Sequence, residues 1–282
     1  MKILIVGANS TVAKAVISKL TNEHTVITAG RKDCDLIFDL RKSIKIPKDV
    51  DAIFNFTAAF GGESNDDIRN TFETNVLGAL NLCIAAADAG IKHIIQLSSV
   101  SALIPEGAPY YSIYGLTKKQ ADEVMQLYCK NKGIALTIVR PSQIYGESDV
   151  FARHQPFIYL AADLAQKGED ITIYGQHDAL RNYIFIDDLT EVLCKIVAKK
   201  IDGVFLCTYP DDVSYGYVAE VAQKVFHGSG AVKFLKDKPN IPDNVFPRDE
   251  SIYEKTGYMP KIDLEEGFRR IKAYRSKVET SS

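Results

Sequence analysis

Apolar residues in the first half of the chain fall into short β-branched runs separated by longer segments with a helical repeat. Lys2–Val6, His93–Leu97 and residues 25–29, 51–56 and 135–140 read as strands. Thr11–Leu20 and residues 66–89 and 114–131 read as helices, the second capped by Asp66 or Asp67 and followed by Gly90. Strands alternating with helices predict right-handed crossovers and a parallel sheet covered on both faces. The expected fold is α/β, a doubly wound parallel sheet of the Rossmann kind.

After Pro141 the rhythm loosens. Helices are expected at 156–166, 189–198, Tyr215–Phe226 and 264–274, with strands at Ile171–Tyr174, 183–186 and 204–208. Residues 228–247 look like loops around one strand, and 277–282 like a frayed tail. The reading is a first domain over 1–165, to which some later segments return, and a smaller C-terminal α/β lobe over 166–282.

Composition narrows the partners. With Lys+Arg 34 against Asp+Glu 36, the net charge of −2 gives no electrostatic case for nucleic acid. No apolar run is long enough for a bilayer span, and the one in MKILIVGANS is too short for a signal peptide. The five cysteines are scattered, odd in number and without CxxC spacing, so they read as reduced thiols in a cytoplasmic protein. No His/Cys/carboxylate spacing suggests a metal site.

The first strand runs into Gly7-Ala8-Asn9-Ser10-Thr11-Val12-Ala13, which opens the first helix. A dinucleotide site needs a tight turn there, so that helix N-terminal amides face the pyrophosphate. Gly7 supplies the turn, Ser10 takes the close-approach position and Ala13 the helix-packing position. Ser10 either donates its hydroxyl to a phosphate or loosens the contact through its Cβ. At the end of the second strand an NAD site usually places an acid to hold the ribose 2′-hydroxyl. Gly30 stands there instead, followed by Arg31 and Lys32. That exchange favours a 2′-phosphate, hence NADP, with NAD as the alternative. Asp39-Leu40, after the next apolar run, is a candidate for the adenine edge.

Tyr114-Gly115-Leu116-Thr117-Lys118 opens a helix and is the most specific feature. Positions i and i+4 share one face, so Lys118 can lie beneath the Tyr114 phenol and bring its pKa toward neutrality. Upstream, the strand His93–Leu97 ends in Ser98-Ser99-Val100-Ser101, where a hydroxyl can hold a substrate carbonyl.

In this order the motifs resemble the extended short-chain dehydrogenase/reductases, specifically the NAD(P)-dependent epimerase/dehydratase family acting on nucleotide sugars. Asn55-Phe56-Thr57-Ala58-Ala59 and Thr74-Asn75-Val76-Leu77-Gly78 resemble further family segments. So do the runs 140–146, 181–189, 248–249 and 257–260. The resemblance implies that Ser99, Tyr114 and Lys118 are catalytic, with Ser98 or Ser101 as alternatives to Ser99. It implies cofactor contacts from Gly7, Asn9, Ser10, Thr11, Val12, Arg31, Asp39, Leu40, Thr57, Ala58, Ala59, Tyr114, Lys118 and Pro141. Substrate contacts are implied for Ser99, Gln143, Arg181 and Arg248, the two arginines toward a nucleotide diphosphate. It also implies a homodimer formed through the helices at 66–89 and 114–131.

Val100 and Ser101 stand where family dehydratases carry an Asp-Glu pair, and no Cys lies between Cys83 and Cys129 for a 3,5-epimerase. Two reactions remain. One is NADPH-dependent reduction of a nucleotide-linked 4-keto sugar, favoured by Gly30-Arg31. The other is 4-epimerisation with retained NAD. A non-catalytic, dinucleotide-sensing binding protein is the rival from another class, although such relatives typically lose the Tyr or the Lys.

Overall fold

The computed structural model describes residues 1–281. The chain begins β1 (Lys2–Val6), α1 (Thr11–Leu20), β2 (Thr25–Gly30), β3 (Leu36–Ile37), β4 (Ala52–Asn55), α2 (Asn65–Phe72), α3 (Gly78–Ala89), β5 (His93–Leu97), α4 (Ile113–Lys132) and β6 (Ala135–Pro141). It continues β7 (Gln143–Tyr145), α5 (Pro156–Lys167), β8 (Ile171–Tyr174), β9 (Leu180–Arg181), β10 (Tyr183–Phe185), α6 (Ile186–Lys199) and β11 (Gly203–Cys207). The last elements are β12 (Val213–Ser214), α7 (Tyr215–Phe226), β13 (Val232–Leu235), α8 (Ser251–Thr256) and α9 (Leu264–Ser281).

Two compact units emerge. The first comprises Met1–Pro141, Thr190–Cys207 and Asp249–Tyr258; the second comprises Ser142–Leu189, Thr208–Arg248 and Met259–Ser282. Residues 142–165, expected in the first domain, therefore fall in the second unit. Two later segments belong to the first because β11 pairs with β6 and α8 follows Asp249, whose carboxylate accepts the Leu206 amide at 3.2 Å.

The first unit is a seven-strand parallel sheet in the order β11-β6-β5-β4-β1-β2-β3. Ile3, Leu4, Ile5 and Val6 are all buried, as both faces of a covered parallel strand must be. On one face Leu4, Ile53 and Ile94 pack with Leu82, Cys83, Ala86, Ala121 and Met125 of α3 and α4. Each large aliphatic side chain fully buried contributes about 1.5–3 kcal/mol. The register aligns the strand ends: Val6 is opposite Ala29 and Asn55, Asn55 opposite Gln96, and Leu97 opposite Val139. Gly7, Phe56 and Ser98 therefore leave the sheet along one edge, where the strand order reverses between β1 and β4.

The helix expected at 66–89 is two helices joined by a wider π-helical turn over Glu73–Leu77. Its cap is Ser64 rather than Asp66 or Asp67, because the Ser64 hydroxyl accepts the Asp67 amide at 3.1 Å. In the second unit, α5 and α7 stand beside the β13–β8 pair, and β7 pairs with β10 in parallel. The tail is helical to Ser281, longer than the expected end near 274, and Ser282 lies outside the described residues.

Candidate active site

The first turn is held by close approach. Gly7 has φ +78, and a Cβ there would stand 2.9 Å from the Phe56 carbonyl carbon and the Thr57 nitrogen. Only glycine fits. Ser10 caps α1, its Oγ accepting the Ala13 amide at 3.2 Å. The hydroxyl proton remains available to a phosphate, and the amides of Thr11 and Val12 open the helix beside it. Asn9 donates to the Lys32 carbonyl at 2.8 Å and so ties the turn to the end of β2.

Gly7, Asn9 and Ser10 line a cleft of about 640 Å³ together with Gly30, Arg31, Lys32, Asp39, Leu40, Thr57, Ala58 and Ala59. The Cys34 sulfur occupies the ground beside Gly30, 3.1 Å from where a Cβ would sit. Asp35 caps the Thr28 amide at 2.9 Å, which holds its carboxyl below the usual range. Asp39 is committed to Arg41, whose Nε is 3.0 Å and Nη2 2.5 Å from the carboxylate. That hydrogen bonding, foremost, lowers the Asp39 pKa. Arg41 also donates to Asn70 at 3.1 Å and lines the cleft. Sequence reading missed Arg41; its two-residue spacing from Asp39 was the available signal. A strand-turn-helix with a closed glycine, open amides and cations at the β2 end fits a nicotinamide dinucleotide. The residues that would hold it are Gly7 to Val12, Arg31, Asp39-Leu40 and Thr57 to Ala59.

The floor is braced by two asparagines. Asn55 is buried and accepts both the Thr57 amide (3.1 Å) and hydroxyl (2.6 Å), while donating to Gln96 at 2.8 Å. Asn75 accepts the Ala59 amide at 2.8 Å, donates to the Ala59 carbonyl at 2.9 Å and reaches Thr117 Oγ1 at 3.0 Å. It links the floor to α4. Phe60, exposed, stacks on the Tyr114 ring with centroids 5.3 Å apart.

Ser112 caps α4 through the Gly115 amide at 3.3 Å. Three successive turns of this helix then grip three successive residues of the β5 end. Tyr114 hydrogen-bonds the Ser99 side chain. Lys118, buried, donates from Nζ to the Leu97 carbonyl at 2.7 Å. Asp122, fully buried, accepts the Ser98 hydroxyl at 2.8 Å and Arg140 Nε at 2.9 Å. Ser98 is thus occupied away from the phenol, and Ser101 is packed by its backbone against Gly115. Of the candidate hydroxyls, Ser99 meets Tyr114.

The electrostatics differ from expectation. Burial pushes the Tyr114 phenol up to about 12, against the lowering effect of the Ser99 hydrogen bond. Lys118 was expected to bring it toward neutrality; instead the lowering comes from Ser99, and Asp122 adds to the rise. The same burial brings Lys118 down to about 8.

In the second unit, Gln143 pairs with Tyr183 across β7 and β10, and its Oε1 is buried without a hydrogen-bond partner among the described residues. Arg181 is 2 % exposed, not a surface cation. It donates to the Leu180 and Pro242 carbonyls at 2.7 and 2.8 Å and to Tyr215 Oη at 3.1 Å, with its guanidinium over the Tyr215 ring. Arg248 is exposed and lies 3.3 Å from Asp211. Pro141 closes β6 in the first unit opposite Cys207.

Residues 3–205 match the NAD dependent epimerase/dehydratase family over most of the chain. This chain belongs to that family. The epimerase/dehydratase family is an enzyme family of the extended short-chain dehydrogenase/reductase type. Among relatives, UDP-glucuronic acid decarboxylase 1 of Arabidopsis thaliana is 26 % identical over 219 residues, 71 % of this chain and 49 % of that protein. The chain thus spans about half the length of that plant relative. UDP-N-acetyl-alpha-D-glucosaminuronate decarboxylase of Bacillus cytotoxicus is 25 % identical over 256 residues, 83 % of this chain and 79 % of the relative. Among solved structures, UDP-glucuronic acid 4-epimerase from Bacillus cereus in complex with NAD superposes with a TM-score of 0.79 at 18 % identity, covering 99 % of both chains. Among the described residues, no helix is long and apolar enough to cross a membrane.

Proposed function

We propose that this chain oxidises and re-reduces C4 of a nucleotide-linked hexose, a 4-epimerisation with the dinucleotide retained. The observation that carries this reading is the Ser99–Tyr114 hydrogen bond with buried Lys118 one turn further along α4. Similarity over nearly the whole chain to a solved 4-epimerase holding NAD supports it. When bound, the nicotinamide takes and returns hydride. Tyr114 takes the proton of the sugar 4-hydroxyl and later returns it, while Ser99 holds that oxygen. Lys118 binds the nicotinamide ribose and favours the phenolate by its charge. From the second unit, Gln143, by its unpartnered Oε1, is the candidate acceptor for a substrate hydroxyl, and exposed Arg248 the candidate cation for the nucleotide diphosphate. Arg181 serves that subsite by holding Tyr215 and the Pro242 loop.

A second reading, NADPH-dependent reduction of a 4-keto sugar, is favoured by Arg31 and Lys32 in the cleft where an acid would stand. The protonated Tyr114 phenol is also the form that reduction requires. Five free thiols suit a cytoplasmic location. Exposed Ile68, Phe72, Leu77, Ile84 and Leu127 on the 66–89 and 113–132 helices support a homodimer. The test is a panel of UDP-hexoses with NAD, and of 4-keto sugars with NADPH, followed by NMR. Appearance of a 4-epimer without net cofactor consumption supports the first reading, and stoichiometric NADPH loss the second.

A further inference from the structure

Asp122 takes no part in the chemistry above, yet it is one of the most deeply buried ionisable groups in the first unit. It lies one helical turn past Lys118 on the same face of α4. Its Oδ2 is shared by Ser98 Oγ and Arg140 Nε, whereas its Oδ1 is buried with no hydrogen-bond partner among the described residues. A carboxylate oxygen left in that state is costly unless the charge it carries is used. Lys118 spends its one described hydrogen bond on the neutral Leu97 carbonyl, which offers no counter-charge.

The charged and titratable groups facing this cluster are few. Tyr114, Lys118 and Asp122 come from α4, and Arg140 from β6; Ser98 and Ser99 of the β5 end, and Asn75 and Thr117 on the other side, are neutral. Asp122 is the single negative charge among them. Without it, two cations would share a desolvated space.

We propose that Asp122 is a positioning residue whose carboxylate is the counter-charge that keeps buried Lys118 an ammonium, while its Ser98 bond fixes the strand end carrying Ser99. Desolvation lowers the Lys118 pKa and electrostatic attraction to Asp122 raises it, and the balance of the two stands at about 8. The same carboxylate works against the Tyr114 phenolate, which it pushes up. The arrangement therefore trades ease of phenol ionisation for a lysine charged at neutral pH. Because the two effects oppose one another in turnover, the lysine must be read directly.

The inference rests on Tyr114 and Lys118 being the catalytic pair, but its test does not need turnover. The full chain labelled with ¹³C-lysine is titrated by NMR, and the Lys118 Cε signal is assigned by its loss in Lys118→Met. In Asp122→Asn the Lys118 midpoint falls by about one pH unit, a tenfold change in its protonation. In Ser98→Ala, which removes a hydrogen bond and keeps the charge, it stays within about 0.3 unit. If Asp122→Asn does not fold, Asp122→Ser, with room for a bridging water, is titrated instead and gives the same fall. An unchanged Lys118 midpoint in the Asp122 variant, or an equal fall in Ser98→Ala, overturns the proposal. Failure of every nucleotide sugar to react would instead count against the proposed reaction and leave this titration readable.

Discussion

A Cβ placed on Gly115 would stand 2.6 Å from the carbonyl oxygen of Ser101. Helix α4 can approach the serine-bearing strand end only because position 115 has no side chain. Gly115→Ala therefore sets two effects against each other. Alanine favours the helix by about 1 kcal/mol, while overpacking against backbone costs about 1–3 kcal/mol. The expected net is a loss of stability in urea unfolding together with at least a tenfold fall in kcat, since α4 must move away from Ser99. A variant as stable and active as the parent would show that the contact relaxes without consequence.

Tyr114→Phe removes one hydroxyl and keeps the ring stacked beneath Phe60. Turnover should fall by about 10²–10⁴-fold, the usual range for general acid–base catalysis. Cofactor affinity, measured by fluorescence titration, should change less than about twofold. The phenol sits up near 12 before cofactor binds, so the step needing phenolate gains rate as pH rises, until Lys118 loses its proton near 8. A kcat that declines steadily from pH 6 to 8 would contradict this order of ionisations.

Much of the first unit is legible in the sequence because parallel strands buried on both faces leave continuous β-branched runs. Lys2–Val6, Thr11–Leu20 and His93–Leu97 are read to the residue. The break in the 66–89 helix is not legible, because a π-helical turn keeps the apolar rhythm on either side. Within the site, the Tyr114/Lys118 pair follows from helical spacing, whereas position at a strand end offers Ser98, Ser99 and Ser101 alike and the family resemblance singles out Ser99. Asp122 continues the same four-residue spacing and was readable in principle, but its meaning depends on Arg140, eighteen residues away on another strand. The change of rhythm at Pro141 is legible, but not that the division falls there and not near 165, since the chain crosses between units several times and no Gly/Pro-rich linker marks the crossings.

Arg31 lines the cleft at the end of β2, where Gly30 leaves no carboxylate to repel a 2′-phosphate. Arg31→Ala should weaken NADPH binding about tenfold, near 1.4 kcal/mol, and leave NADH within about twofold. Parallel calorimetric titrations check this. Equal loss for both cofactors would place Arg31 elsewhere than at the 2′ position.

Arg181 is buried with its guanidinium bonded to two carbonyls and a phenol. Arg181→Ala should lower the unfolding free energy by about 1.5–3 kcal/mol, the scale of hydrogen bonds to a buried charge. Substitution of a surface cation changes stability within about 0.5 kcal/mol. Urea unfolding that reports a change of that smaller size would show that the Pro242 loop does not depend on this residue.

The central proposal is that Tyr114, with Ser99 and Lys118, moves the O4 proton while C4 of a nucleotide sugar is oxidised and re-reduced. It is tested most directly by proton NMR of the full chain with NAD and, in turn, UDP-glucose, UDP-N-acetylglucosamine and UDP-glucuronic acid. The account predicts that at least one sugar converts to its 4-epimer until equilibrium, with no net NADH formed and with conversion by Tyr114→Phe slowed about 10²–10⁴-fold. No epimer from any of them, with stoichiometric NADPH consumption on a 4-keto sugar or loss of carbon dioxide from the uronic acid instead, would contradict it.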